Sequence, residues 1–79
     1  AKADLSGADL NNSVFRDDVF SQANLDGADL SASLFENSNF SGANLHHAKL
    51  VKANLETSNL TDVNLSGAIL INAILPLVN

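Results

Sequence analysis

The residues best equipped for chemistry are few and scattered. His46 and His47 are the only imidazoles in the 79-residue chain, and there is no Cys, so neither a disulfide framework nor a thiolate metal site can form. A histidine pair becomes a metal centre only when a third donor joins it. Two successive side chains on one chain corner are expected to diverge, and no third ligand is expected beside them, so His46-His47 reads as a solvated corner. Nine Asp and Glu residues supply carboxylates, but no Ser, His and Asp occur in an arrangement suited to nucleophilic catalysis, and no Gly-rich run forms a phosphate cradle. The expected chemistry is therefore absent: no catalytic residue, no cofactor site, no metal site and no small-molecule substrate.

What positions these side chains is a repeat. Every fifth residue from Leu5 to Leu75 is Leu or Phe, fifteen positions without exception. Two residues before each stands Ala in nine cases and Ser in four, with Asp18 and Val63 as the exceptions. The unit is A-(D/N)-L-x-x, as in Ala3-Asp4-Leu5-Ser6-Gly7 and Ala23-Asn24-Leu25-Asp26-Gly27. A period of five suits no straight element. On an α-helix it spirals round the surface, and in a flat strand it alternates faces. The large residues share one interior only if the chain turns a corner once per repeat.

A second period gives the number of sides. Phe15 and Phe20 recur as Phe35 and Phe40, and Ala3–Leu10 matches Ala23–Leu30 at six of eight positions. Side chains twenty apart should therefore stack, four repeats closing one coil. The predicted interior columns are Leu5/Leu25/Leu45/Leu65, Leu10/Leu30/Leu50/Leu70, Phe15/Phe35/Leu55/Leu75 and Phe20/Phe40/Leu60. The rod should stand about 15–20 Å tall at the spacing of paired strands. Ser13, Ser33, Ser38 and Ser58 beside the Phe columns are expected to bond corner backbone. Gly7, Gly27, Gly42 and Gly67 end their repeats, where a positive φ is expected. Asp18 at an inward position should be hydrogen-bonded or lie near an open end, since an unpaired buried carboxylate is costly.

This pattern resembles the pentapeptide-repeat proteins, and the likeness runs the length of the chain. The resemblance implies an all-β fold, a right-handed quadrilateral parallel β-helix of about four coils, as one domain over residues 1–79. It also brings a sharper functional expectation. Some pentapeptide-repeat proteins are acidic dimers that mimic duplex DNA and bind DNA gyrase; this chain resembles them in its acidic half but is shorter and less acidic.

Charge sorts the remaining possibilities. The net charge is −5, all of it within residues 1–40, while residues 41–79 balance. An acidic surface opposes direct nucleic-acid binding, which needs cations on the protein. No apolar run reaches membrane-spanning length and no signal-peptide pattern is visible, so no membrane insertion is expected and the compartment reading leans towards the cytoplasm. Outward columns should form ladders: Asp4/Asn24/Asn44/Asn64 by amide stacking, and Asp9/Asp29/Lys49 and Arg16/Glu36/Glu56 by ion pairing. Near the C-terminus the outward positions turn apolar: Val51, Ile69, Ile71, Ile74, Leu77 and Val78. Such a patch either caps its own last coil, with Pro76 ending the repeat, or marks an interface with a second copy, another partner or flanking sequence. The functional expectation is a non-catalytic structural or protein-binding module that self-associates, or meets a protein partner, through this C-terminal coil; the alternative is the gyrase-binding DNA mimic.

Overall fold

The computed structural model describes residues 3–76. Leu77 and Val78, two of the expected interface residues, lie outside the described residues. Backbone pairing runs at one offset throughout. Two short strands, β1 (Val14–Arg16) and β2 (Leu34–Glu36), pair in parallel with Val14 opposite Leu34, Phe15 opposite Phe35 and Arg16 opposite Glu36. Single parallel bridges join Asp4 to Asn24 to Asn44 to Asn64, Asp9 to Asp29 to Lys49 to Ile69, and Val19 to Asn39 to Asn59. Every pairing is a twenty-residue step. The chain is thus a β-solenoid in which each layer lies on the one twenty residues before it.

Local chemistry explains why so little continuous strand forms. Each of the nine Asp or Asn residues immediately before a large central residue accepts a hydrogen bond through Oδ1 from the N–H two residues on, as Asn44 does from His46 at 3.0 Å. This Asx turn draws the chain round immediately after one bridged residue. At β1 and β2 the same position holds Val14 and Leu34, which offer no such acceptor; Val19, Lys49, Ile69 and Ile74 also lack one and form single bridges, so the missing acceptor is not sufficient for a strand.

The corners need a left-handed residue. Gly7, Gly27, Gly42 and Gly67 have φ near +70°, as expected from their place in the repeat, and nine non-glycine residues including Gln22, Ala32, His47 and Lys52 adopt φ between 54° and 62° at the equivalent place. Thr57 is the exception, because a β-branched side chain resists that region. At other corners the N–H of this residue donates to the carbonyl one layer on, as His47 does to Ser66 at 2.9 Å. Facing Thr57, the Asn37 N–H donates instead to the Thr57 hydroxyl at 3.0 Å. The hydroxyl replaces the carbonyl that the altered turn misdirects.

The interior follows the predicted columns. Leu25, Leu30, Phe35, Phe40, Leu45, Leu50 and Leu55 are buried, together with the small residues Ala23, Ala28, Ser33, Ser38, Ala43, Ala48, Ala53 and Ser58. Phe15 stacks on Phe35 at 5.0 Å with rings 5° from parallel, and Phe20 on Phe40 at 4.8 Å, while the two columns meet edge to face, Phe35 on Phe40 at 5.1 Å. Both arrangements favour the aromatic quadrupole. Ser33 and Ser58 donate to the carbonyls of Leu10 and Phe35, each at 2.6 Å, and Ser13 donates to Asn11, as anticipated for corner hydroxyls. Ser38 Oγ is buried without a partner among the described residues.

The two departures from the small-residue rule sit where packing is open: Asp18 is exposed in the first layer and Val63 half-buried in the last. Of the fifteen large residues only Leu75, at the end of its column, is exposed. The molecule measures 27 × 23 × 20 Å, about as wide as it is tall, so it is a short block and not an elongated rod.

Candidate functional site

Two features of the surface stand apart from the polar ladder: an apolar end and a three-residue polar cluster. The apolar end is the last described layer. Ile69, Ile71 and Ile74 are exposed at 43%, 63% and 48%, and Leu75 joins them at 37%. They project from the outward columns, which hold Asp9, Asn11 and Val14 in the first layer. Val51 belongs to the same column as Ile71, but it is only half-exposed because the next layer covers it. The structure therefore brings together Ile69, Ile71 and Ile74 of the expected interface. Among the described residues no layer follows theirs. The opposite end carries a smaller apolar pair that sequence reasoning passed over, Val14 at 57% and Val19 at 73%.

The polar cluster overturns the expectation for the histidines. Their rings do not diverge: the centroids lie 3.6 Å apart at 44°. His47 takes φ 58°, and that left-handed backbone turns its side chain back beside His46. A third group is also present. Asp26 occupies the same corner one layer earlier, and its Oδ1 lies 3.3 Å from His46 Nδ1. The twenty-residue period contained this signal, because 26 stands directly beneath 46 in the stack. Glycine makes room for His47. A Cβ at Gly67 would fall 2.3 Å from His47 Cδ2 and 2.9 Å from Nε2.

Of the other polar columns, the Asn column and one Arg16–Glu36 pair link layers, while among the described residues no ion pair joins Asp9, Asp29 and Lys49 or reaches Glu56. Asn44 donates to Asn24 and Asn64 to Asn44, at 3.4 and 3.5 Å, both long contacts secondary to the Asx turns. Arg16 Nε lies 3.6 Å from Glu36 Oε1 with both side chains well exposed, a pair worth less than about 1 kcal/mol. Asp29 is held below the usual carboxylate range, chiefly by the Ser31 backbone N–H on its Oδ1, then by the Ser31 hydroxyl, with Asn11 and the Lys49 charge adding smaller effects against a modest desolvation. A carboxylate depressed on folding contributes stability above its unfolded value, near pH 4, that is lost as pH falls through the folded value. Asp29→Asn keeps the Asx turn and removes the charge. Its unfolding midpoint should consequently fall less than the wild type's between pH 5 and pH 2, as followed by circular dichroism; parallel acid profiles would remove Asp29 from the acid response.

The model of the pentapeptide repeats matches residues 1–37 and 38–75. The chain belongs to the pentapeptide-repeat family. Solved pentapeptide-repeat structures agree with the fold. HetL of the cyanobacterium Nostoc, described as involved in heterocyst differentiation regulation, is 35% identical with a TM-score of 0.60, covering 92% of this chain and 40% of its own. A protein of the cyanobacterium Cyanothece is 33% identical, TM-score 0.59, covering 91% of this chain and 53% of its own. A third, from the Arabidopsis thaliana thylakoid lumen, is 32% identical, TM-score 0.56, covering 94% of this chain and 59% of its own. This pentapeptide-repeat chain thus spans about half the length of those relatives. No curated protein matches it. Among the described residues no helix is long and apolar enough to cross a membrane.

Proposed function

We propose that this pentapeptide-repeat chain is a non-catalytic binding module, a right-handed quadrilateral β-helix of about four coils that meets a second copy of itself, or a protein partner, end-on at its last layer. The observation that carries the reading is the exposed Ile69, Ile71 and Ile74 group. Docking there would bury three branched aliphatic side chains, each worth about 1.5–3 kcal/mol when fully covered. A filled interior, with Leu and Phe columns closed by Ala and Ser, leaves the outer surface and the ends as the places for recognition.

The alternative, mimicry of duplex DNA towards DNA gyrase, draws on the acids of residues 1–40. Their arrangement favours it less: Glu36 meets Arg16 and Lys49 lowers the Asp29 carboxyl, so the acidic face is mixed in sign.

Sedimentation velocity across a concentration series tests the end-on reading. The wild type should shift towards a dimer as concentration rises, and Ile69→Asp/Ile71→Asp/Ile74→Asp should remain monomeric with an unchanged circular dichroism spectrum. A wild type that stays monomeric at high concentration defeats self-association. Loss of the folded spectrum in the variant would assign these residues to the core.

A further inference from the structure

We propose that Asp26, His46 and His47 form a site for a divalent transition metal of the zinc class, which ties one layer of the solenoid to the next. The donor set is two imidazoles and a carboxylate, which suits zinc, cobalt(II) or nickel(II) and is a poor match for calcium or magnesium, whose ligands are oxygens. All three donors lie within 4.8 Å of one another. The decisive distance is the 3.3 Å between Asp26 Oδ1 and His46 Nδ1. Two metal bonds of about 2.0–2.2 Å meeting at a tetrahedral angle separate their donor atoms by about 3.3–3.5 Å. That pair is already spaced as an edge of a zinc tetrahedron. Rotation of the neighbouring His47 ring supplies the third donor, and water takes the fourth position.

The scaffold beneath the cluster is fixed by bonds that do not involve the ligating atoms. The His46 N–H donates to Asn44 Oδ1 at 3.0 Å, its carbonyl accepts from Gly27 at 2.9 Å, and the His47 N–H donates to the Ser66 carbonyl at 2.9 Å. The corner is closed by Ala48 N–H donating to the Leu45 carbonyl at 3.0 Å. Both ligands on that corner are therefore held by backbone pairing to the layers on either side. His47 is also the one residue with a side chain in a column otherwise made of Gly7, Gly27 and Gly67, so its ring has space on both sides. A metal here links residues 26 and 46 across two layers, and binding to the folded state alone raises its thermal midpoint.

Isothermal titration of the full chain with zinc chloride at pH 7.5 should show one site. His46→Gln, His47→Gln and Asp26→Asn should each weaken it by at least tenfold, and Glu36→Gln, a carboxylate on another corner, should leave it unchanged. Zinc at a hundredfold excess over its Kd should raise the wild-type Tm by about 11–22 °C, and magnesium should not. Cobalt(II) provides a readout that needs no variant: visible d–d absorption of tetrahedral intensity on the wild type. Equal zinc affinity in wild type and all three variants, or an octahedral cobalt spectrum with no Tm rise, would leave Asp26 and His46 as an ordinary polar contact and overturn the site.

Discussion

Phe35→Ala should lower the unfolding free energy by about 3–5 kcal/mol, the usual cost of emptying a buried phenylalanine site. Phe35 is fully buried and touches three other rings: Phe15 at 5.0 Å, Phe20 at 6.0 Å and Phe40 at 5.1 Å. Its loss removes both a parallel stack and edge-to-face contacts, and the flanking layers cannot collapse into the gap because each is held at ladder spacing by backbone bonds such as Phe35 N–H to Asn54 O at 2.9 Å. Phe15→Ala makes the same chemical change in the same column but at the partly exposed first layer, so it should cost clearly less. Phe35→Leu should cost less than Phe35→Ala, since it keeps part of the volume but still loses the ring contacts. Against a total stability of about 5–15 kcal/mol for a small domain, the Phe35→Ala loss is a large fraction. In a solenoid stabilised by nearest-neighbour layers, a defect in a middle layer also uncouples the two ends. Urea unfolding followed by circular dichroism gives the comparison. Equal losses at Phe15 and Phe35 would mean that burial along the axis is uniform and the end layers are not open.

Gly67→Ala should cost about 2 kcal/mol, and Gly27→Ala only about 1. Both glycines lie in the left-handed region, at φ +69° and +71°, where an L-residue pays about 1–2 kcal/mol. Their surroundings differ. A Cβ at Gly27 meets nothing within 4 Å, whereas at Gly67 it would lie 2.3 Å from the His47 ring. The ring must move, and being exposed it moves outward at modest cost, of the kind overpacking incurs. In a His47→Ala background the Gly67→Ala cost should fall to that of Gly27→Ala, a coupling between sites twenty residues apart that a double-mutant cycle reads directly. No coupling would mean that the ring is held elsewhere in solution. Because the displaced ring is a proposed zinc donor, Gly67→Ala should also weaken zinc binding while leaving all three ligands in place.

Much of this was legible in the chain. The inward columns needed only the five-residue period, since a large side chain at each fifth place has one interior to share. The twenty-residue step needed only Phe15/Phe35 and Phe20/Phe40, and their rings do lie one over the other. The exposure of Ile69, Ile71 and Ile74 was likewise readable from their outward places, while Val51 was misjudged as a full member of the patch because a column position does not say which layer covers it. The Asp/Asn preference looked like an outward ladder, yet its stronger role is the Asx turn at every such position, a contact two residues away that the stacking picture obscured.

The family and the stacking partners were set by residue type and spacing alone, because burial of large side chains at a fixed interval is a one-dimensional constraint. Side-chain direction at a corner is not. Whether His46 and His47 part or converge depends on the left-handed turn at His47, on Asp26 rising from the layer before and on the space above Gly67. Those three conditions come from separate layers and meet only once the solenoid is wound, which is why the tertiary structure decided the cluster.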